Sequence, residues 1–436
     1  MLRRISTSAS VVDSVQRVLF IDQSELYSIA KRDRILAYAA RRPWWSVLQR
    51  TLGQMLLLIL VSCIGLIPLD PVQSGFRGKN LTLIIIPMIV YAIGTALGVV
   101  RIRSFCPATA ITGRQWIGLQ LLFVLVSCAC LAMAAQLIFP VPFAFVISVI
   151  PVTPVLFVLI WRLEDPSQRL GLTRPLSSLG FSILGIVLHE AVAILYTNAQ
   201  NHPYLQPLAA LGLPAIRLLL RYGHMKLMKD SREGLGSVTA AFEVEMFNSL
   251  YIAIFLHGSS SWITTMILMS VDTIENCVFL YSIITKCHQV RGETDQEQKS
   301  ELARRLLFQT EFVGLVELVE IVTPLCYMIV MYIIRAGPNA EYFPYVRNVS
   351  WEAFHLSQRN VTMLVLLQLS SFITLVFVLH CKFKLPLLAQ LASDLDEYAT
   401  TLNLTFLTFF LLACIVLPLD HLGSDYTLKF DYDSHH

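Results

Sequence analysis

The feature that most constrains this chain is a series of long apolar windows. A helix needs about 20 mainly apolar residues to cross a bilayer. Only 14% of the 436 residues are charged, against about 25% in soluble domains. The sequence therefore predicts an all-α, polytopic integral membrane protein, and this composition excludes a nucleic-acid-binding protein. Eleven windows fit a span, at 51–68, 81–100, 116–138, 141–161, 176–196, 204–220, 238–257, 262–285, 306–334, 361–380 and 403–420.

The placement of basic residues predicts the topology. Cytoplasmic loops hold an excess of Lys and Arg, and an internal N-terminus puts 27 of the 33 on the internal side. The sixth window is short and contains Pro214 and Arg217, but without it every later segment would be inverted. We therefore expect a helical bundle over 51–420 with a cytoplasmic N-terminus and a short external tail, 421–436, in the plasma membrane or an endomembrane.

The first 50 residues are predicted to form a basic cytoplasmic arm. Residues 12–40 mix apolar and basic side chains and lead to Trp44 and Trp45. Such a pattern is typical of an amphipathic helix that lies on anionic lipid headgroups, and an arm that binds a partner or is merely disordered is the alternative. A second amphipathic helix is predicted over 385–402.

Sequons and cysteines agree with this topology. Asn348 and Asn360 begin N-glycosylation sequons in the predicted external loop 335–360, so both are candidate acceptors. None of the nine cysteines lies in a predicted external loop. We therefore expect no disulfide bonds.

Polar residues in three consecutive spans form the main candidate site. A charged side chain at the centre of a span costs about 2.5–3.5 kcal/mol and usually faces the bundle interior. Residues three or four apart share one face of a helix, which groups these polar residues into three stripes and points Glu243 away from them. The stripes are Glu245 with Asn248, Asp272 with Glu275 and Asn276, and Glu317 with Glu320.

Charge balance suggests what these stripes do. Their five carboxylates have no Lys or Arg predicted at the same depth, since Arg217 and Arg221 fall at the internal end of the sixth span. Such a cluster has to be protonated, neutralised by a cation or reached by water. We therefore predict a site that binds protons or small cations. Hydrogen bonds that only fasten the helices together are the alternative.

The short link 257–261 also predicts that spans seven and eight pack as an antiparallel pair.

His189 and Glu190, in the fifth span, are a candidate relay or ligand pair, or simply a packing pair. The stretch begins like the zinc-protease motif H-E-x-x-H, but Ala193 stands where the second His is required. The sequence contains no phosphate-binding loop and only Asp272 as a central aspartate. We therefore predict no enzyme activity, no metal site and no cofactor.

Three stretches resemble elements of a known group. Residues 243–251, 317–327 and 338–344 are similar to recurring elements of uncharacterised multi-pass membrane proteins of oomycetes. The resemblance covers mainly the C-terminal half, from Leu213 onward. It implies a many-span helical protein and carries no activity with it.

Two functions fit these observations. The first is a proton- or cation-coupled transporter or channel with an acidic site inside the membrane. The second is a membrane scaffold or receptor-like subunit whose buried acids hold the helices together. An intramembrane hydrolase comes third.

Overall fold

The computed structural model describes residues 29–39, 43–199, 205–227, 240–258, 262–347 and 349–422. Within these ranges all regular secondary structure is helical. The α-helices in chain order are α1 (Ile29–Ala39), α2 (Pro43–Ser62), α3 (Ile85–Phe105), α4 (Gly113–Leu137), α5 (Ala144–Val149), α6 (Val152–Leu163), α7 (Arg169–Asn198), α8 (Leu205–Ala210), α9 (Gly212–Leu227), α10 (Met246–Gly258), α11 (Trp262–Gly292), α12 (Gln296–Ala336), α13 (Trp351–Val378), α14 (Leu387–Glu397) and α15 (Ala399–Leu411). A π-helical turn, Ala240–Glu245, leads into α10, and similar turns follow α13 (Leu379–Phe383) and α15 (Leu412–Val416).

Nine helical segments in the described ranges are long and apolar enough to cross a membrane. They contain α2, α3, α4, α5 with α6, α7, α11, α12, α13 and α15. These helices are consistent with an integral membrane protein and confirm the predicted all-helical class. The predicted sixth span corresponds to two shorter helices, α8 and α9. The predicted seventh span corresponds to the shorter helix α10. The count of eleven spans and the side of the N-terminus stay predictions.

Burial separates central from peripheral helices. Of the apolar stretch in α12 and in α15, 78% is buried, against 28–39% in the other seven spanning segments. Every residue of 246–257 in α10 is buried as well. These three helices therefore form the centre of the bundle. α10 packs mainly against α12 and α13 and less extensively against α11, and the antiparallel pairing of spans seven and eight stays a prediction.

Helix α9 turns its basic face inward. Arg217, Arg221 and His224 are buried, while Leu218 and Leu219 on the opposite face are exposed. The three buried residues are four and three positions apart, which places them on one face of the helix. The helix begins at Gly212, with Pro214 in its first turn, where proline is tolerated. The chain therefore restarts here as a helix whose positive charges face the protein.

The end of the basic arm contacts the protein. Arg34 on α1 forms an ion pair of 3.0 Å with Glu397 on α14, and Asp396 bonds Tyr38 and Arg50. This part of the arm therefore docks on α14, the helix found within the predicted segment 385–402. Residues 12–28 of the predicted lipid-binding helix lie outside the described residues, and contact with anionic headgroups stays a prediction.

Buried polar side chains fasten the loops. Asn339 donates hydrogen bonds to the carbonyls of Gly65 (2.9 Å) and Ile67 (2.6 Å) and accepts one from the amide of Leu69 (3.1 Å). These bonds tie the connection after α12 to the connection after α2.

Asn360 lies within α13 rather than in a loop, which does not favour glycosylation there. Asn348 lies outside the described residues.

Glu164 does the same for the connection between α3 and α4. It accepts hydrogen bonds from the hydroxyl of Thr109 (2.5 Å) and the amides of Ala110 (2.8 Å) and Asp165 (3.2 Å). Burial opposes ionisation of this carboxyl, but the three hydrogen bonds outweigh burial and lower its pKa below the ordinary value. Ionised Glu164 therefore stabilises the folded loop.

Candidate functional site

Arg217 is the centre of a buried ion-pair network. Its guanidinium lies 2.9 Å from Glu245, 3.2 Å from Asp272, 2.5 Å from Glu275 and 3.6 Å from Glu320. These acids come from the π-helical turn, from α11 and from α12. One arginine thus joins three segments of the bundle to α9.

Arg221 extends the network by one helical turn. Its Nε lies 2.8 Å from Glu245, and its Nη1 lies 2.8 Å from Glu275. The guanidinium carbon also lies 5.7 Å from the ring centre of Phe279 and 5.6 Å from that of Phe312, distances typical of cation–π contacts. The Arg221 guanidinium therefore contacts two acids and two aromatic rings, and the side chain is only 1% exposed.

The two arginines correct the expectation drawn from charge balance. We expected the five carboxylates to lack basic partners at their depth, and this is wrong for the four acids that Arg217 contacts, Glu245, Asp272, Glu275 and Glu320. The physical reason is the inward basic face of α9, which brings Arg217 and Arg221 into the acid cluster. Five carboxylates still face only two arginines, so the cluster holds three more acids than bases.

The surplus falls mainly on α12. Neither carboxylate oxygen of Glu320 accepts a hydrogen bond within the part of the chain that the structure describes, and Arg217 is 3.6 Å away. One oxygen of Glu317 accepts a hydrogen bond of 2.8 Å from Ser371, and among the described residues the other oxygen accepts none. Both side chains are 2% exposed. A buried carboxylate without donors is costly unless a proton or a cation neutralises it.

A cavity of about 200 Å³, lined by both polar and apolar side chains, lies beside Glu317, between α11, α12 and α13. Its wall includes Asn276 from α11 and Gln368 from α13. Gln368 donates to Asp272 and accepts a hydrogen bond of 3.1 Å from Asn276. The cavity is therefore linked through one side chain to the ion-pair network.

The remaining predicted site residues lie apart from the cavity. Asn248 is buried in α10, and neither its oxygen nor its nitrogen has a hydrogen-bond partner among the described residues. His189 donates from Nδ1 to the carbonyl of Gly185 at 2.8 Å, and its ring stacks on Phe247. Glu190 accepts a hydrogen bond from Tyr251, whose ring lies 5.1 Å from that of His189. These contacts fasten α7 to α10, and a relay role for His189 and Glu190 stays a prediction.

A second buried ion pair lies on the other side of the π-helical turn. Glu243 contacts Arg101 at 2.5 Å and His224 at 3.2 Å, and Arg101 also bonds Ser182 at 3.0 Å. Glu243 and Glu245 therefore have different arginine partners, and the direction of Glu243 away from Glu245 stays a prediction. In the described ranges, no group of three or more His, Cys, Asp and Glu residues is arranged to hold a metal ion.

Sequence reasoning missed two kinds of site residue. The spacing of Arg217, Arg221 and His224 on one helix face was a usable signal for an inward basic stripe. Gln368 and Ser371 carried no such signal, because single amides and hydroxyls are common in apolar spans and their role depends on which helices meet.

The chain has no counterpart in three comparisons. Neither protein-family models, nor curated proteins, nor solved structures gave a match. The resemblance to oomycete membrane proteins therefore stays a prediction.

Proposed function

We propose that the protein is a proton- or cation-coupled transporter or channel, with the carboxylate cluster as its ion-binding site. The observation that carries the proposal is the surplus of three buried carboxylates over the two arginines, concentrated at Glu317 and Glu320. Uncompensated acids at membrane depth are costly and are usually retained for function.

The network supplies a route for coupling. Arg217 contacts acids that lie on three segments, so a proton or cation bound at Glu320 changes the charge that this arginine meets. Glu317 lies three residues earlier on α12, at a spacing that places it on the same face, and borders the cavity. Binding at the cavity and binding at the cluster would therefore influence one another through charge.

Flux measurements test this function. Purified protein in liposomes would be exposed to pH, sodium and potassium gradients, with a pH-sensitive dye and ion-selective dyes inside. We expect wild-type protein to dissipate at least one gradient, and Glu320→Gln and Glu317→Gln to lose most of that flux. Glu301→Gln is the matched control, since Glu301 forms an exposed ion pair with Arg305 on the same helix. Flux that survives both Glu320→Gln and Glu317→Gln would refute the assignment.

A scaffold or receptor-like subunit is the second candidate. The observation in its favour is that a single side chain, Arg217, contacts acids on three other segments. A residue with a purely structural role would make the same contacts. Absence of wild-type flux under every gradient, together with a large loss of stability in Arg217→Met, would favour the scaffold.

A further inference from the structure

The cavity beside Glu317 has a distinctive hydrogen-bonding character. Its lining hydroxyls donate to carbonyls of their own helices, from Thr273 to Met269 (2.7 Å), and from Thr374 to Ser370 (2.8 Å). Ser370 in turn donates to the carbonyl of Leu367 at 2.7 Å. These donors are therefore engaged, while each hydroxyl oxygen keeps lone pairs that can accept.

The other polar side chains of the lining follow the same pattern. Ser371 donates to Glu317, Gln368 donates to Asp272, and Asn276 donates to Gln368. Among the described residues, one oxygen of Glu317 and the oxygen of Asn276 accept nothing. The lining thus combines the carboxylate of Glu317 and hydroxyl oxygens that can still accept with a mainly apolar surface, and the hydroxyl donors are already engaged.

No Lys, Arg or His is among the residues that line the cavity. A ligand that matches this surface carries positive charge and several N–H donors, which is the chemistry of an ammonium group. A volume of about 200 Å³ far exceeds the 10–15 Å³ or so needed for one water molecule. There is room for a small organic ammonium ion.

We infer that this cavity binds a small organic cation with a primary ammonium group, held by Glu317 and the surrounding oxygen acceptors. The inference rests on the proposed function, of which it names the substrate class. Gln368 bonds both Asn276 in the cavity wall and Asp272 in the ion-pair network. Occupancy of the cavity is therefore expected to be sensed by Asp272 and Arg217.

Cys277 offers a direct assay, because it is an exposed free thiol that lines the cavity. Full-length protein in liposomes would be treated with a water-soluble thiol reagent, and labelling of each cysteine would be quantified by peptide mass spectrometry. Cys63 and Cys381 are also exposed free thiols but do not line the cavity, so they serve as internal references. The probes are ethanolammonium, tetramethylammonium with the same charge but no N–H donor, and neutral ethylene glycol.

We expect ethanolammonium to slow the labelling of Cys277 several-fold without affecting the reference thiols, and the other two probes to have little effect. Loss of a hydrogen bond to a charged group predicts that Glu317→Gln raises the half-protecting concentration about tenfold or more. Ser357→Ala is the control, because this hydroxyl on α13 bonds only its own helix, at Ala353. If Glu317→Gln fails to fold, Thr374→Leu fills the cavity from an exposed position and should abolish the protection.

Two results would overturn the inference. The first is an unlabelled Cys277 beside labelled reference thiols, since the cavity would then be dry. The second is equal protection by all three probes, or unchanged protection in Glu317→Gln and Thr374→Leu. Protection without ion flux would retain the binding site and reject transport, whereas flux without protection would retain transport and reject this substrate class.

Discussion

Arg217→Met should be among the most destabilising single substitutions in the bundle. The methionine side chain fills similar apolar space but removes four contacts with carboxylates, at 2.5 to 3.6 Å, from three segments. Removing one partner of a buried ion pair costs about 3–5 kcal/mol, because the remaining charge is left buried. Arg221 would remain beside Glu245 and Glu275, whereas Asp272 and Glu320 would lose the arginine that they contact. We expect a loss at the upper end of that range.

The exposed pair on α12 provides the comparison. Arg305 lies 45% exposed beside Glu301 at i,i+4 spacing, and pairs of this type contribute about 0.3–0.5 kcal/mol. The same substitution there, Arg305→Met, should therefore be nearly neutral. Both variants would be unfolded by adding denaturing detergent to protein in mild micelles, with helical circular dichroism as the signal.

The double variant Arg217→Met with Glu275→Gln separates charge from packing. If uncompensated negative charge causes the loss, removing one acid should restore more than about 1 kcal/mol, as expected for residues in direct contact. An Arg217→Met protein as stable as Arg305→Met, or a double variant no better than the single one, would refute the role assigned to Arg217.

Three further predictions concern the frame around the site. Glu164 has a lowered pKa in the folded protein, so its ionised form stabilises the fold at pH values above the pKa of the unfolded chain, about 4.3. This contribution is lost as the pH falls through the pKa of the folded protein. The difference in unfolding midpoint between wild type and Glu164→Gln should therefore shrink from pH 7 to pH 3. Gly223→Ala would place a methyl group inside a neighbouring aromatic ring and should cost about 1–3 kcal/mol of stability. Gly118 has open space around it, so Gly118→Ala should stabilise the protein by about 0.5–1 kcal/mol. Thermal unfolding distinguishes the two variants, and equal effects would contradict the reasoning. Asn339→Ala removes three buried hydrogen bonds and should cost about 2–4 kcal/mol, against little for the exposed Asn198→Ala; an equal loss in both would show that the loop bonds contribute nothing.

The sequence predicted helices well because a bilayer imposes a length and an apolarity that can be counted along the chain. The same periodicity groups Glu317 with Glu320 and separates Glu243 from Glu245, and in the structure Glu243 and Glu245 have different arginine partners. The average hydropathy of a window did not predict how α9 is oriented. This helix has leucines on one side and arginines on the other, and an average over both sides does not show the difference. The charge balance of the site depended on which way that helix faced.

The cavity was out of reach for a different reason. Asn276 and Glu317 stood out as polar residues in apolar spans, but Gln368 and Ser371 lie on a span without a charged residue at its centre. Their meeting depends on the packing of α11, α12 and α13, which no single segment encodes. Long-range contacts between helices therefore decided what local spacing could not.

The envelopment of α10 has a consequence for how the chain matures. This helix, with Glu245 just before it, emerges during synthesis well ahead of α12, α13 and α15, which later surround it. Until they arrive, Glu245 depends on the preceding helix for a counter-ion. Arg221 on that helix is, along the chain, the nearest of the residues that neutralise Glu245 in the finished protein. We expect a chain truncated before α12 to retain an acid-bearing helix that the bilayer tolerates poorly, and to be degraded by quality-control proteases sooner than the complete chain.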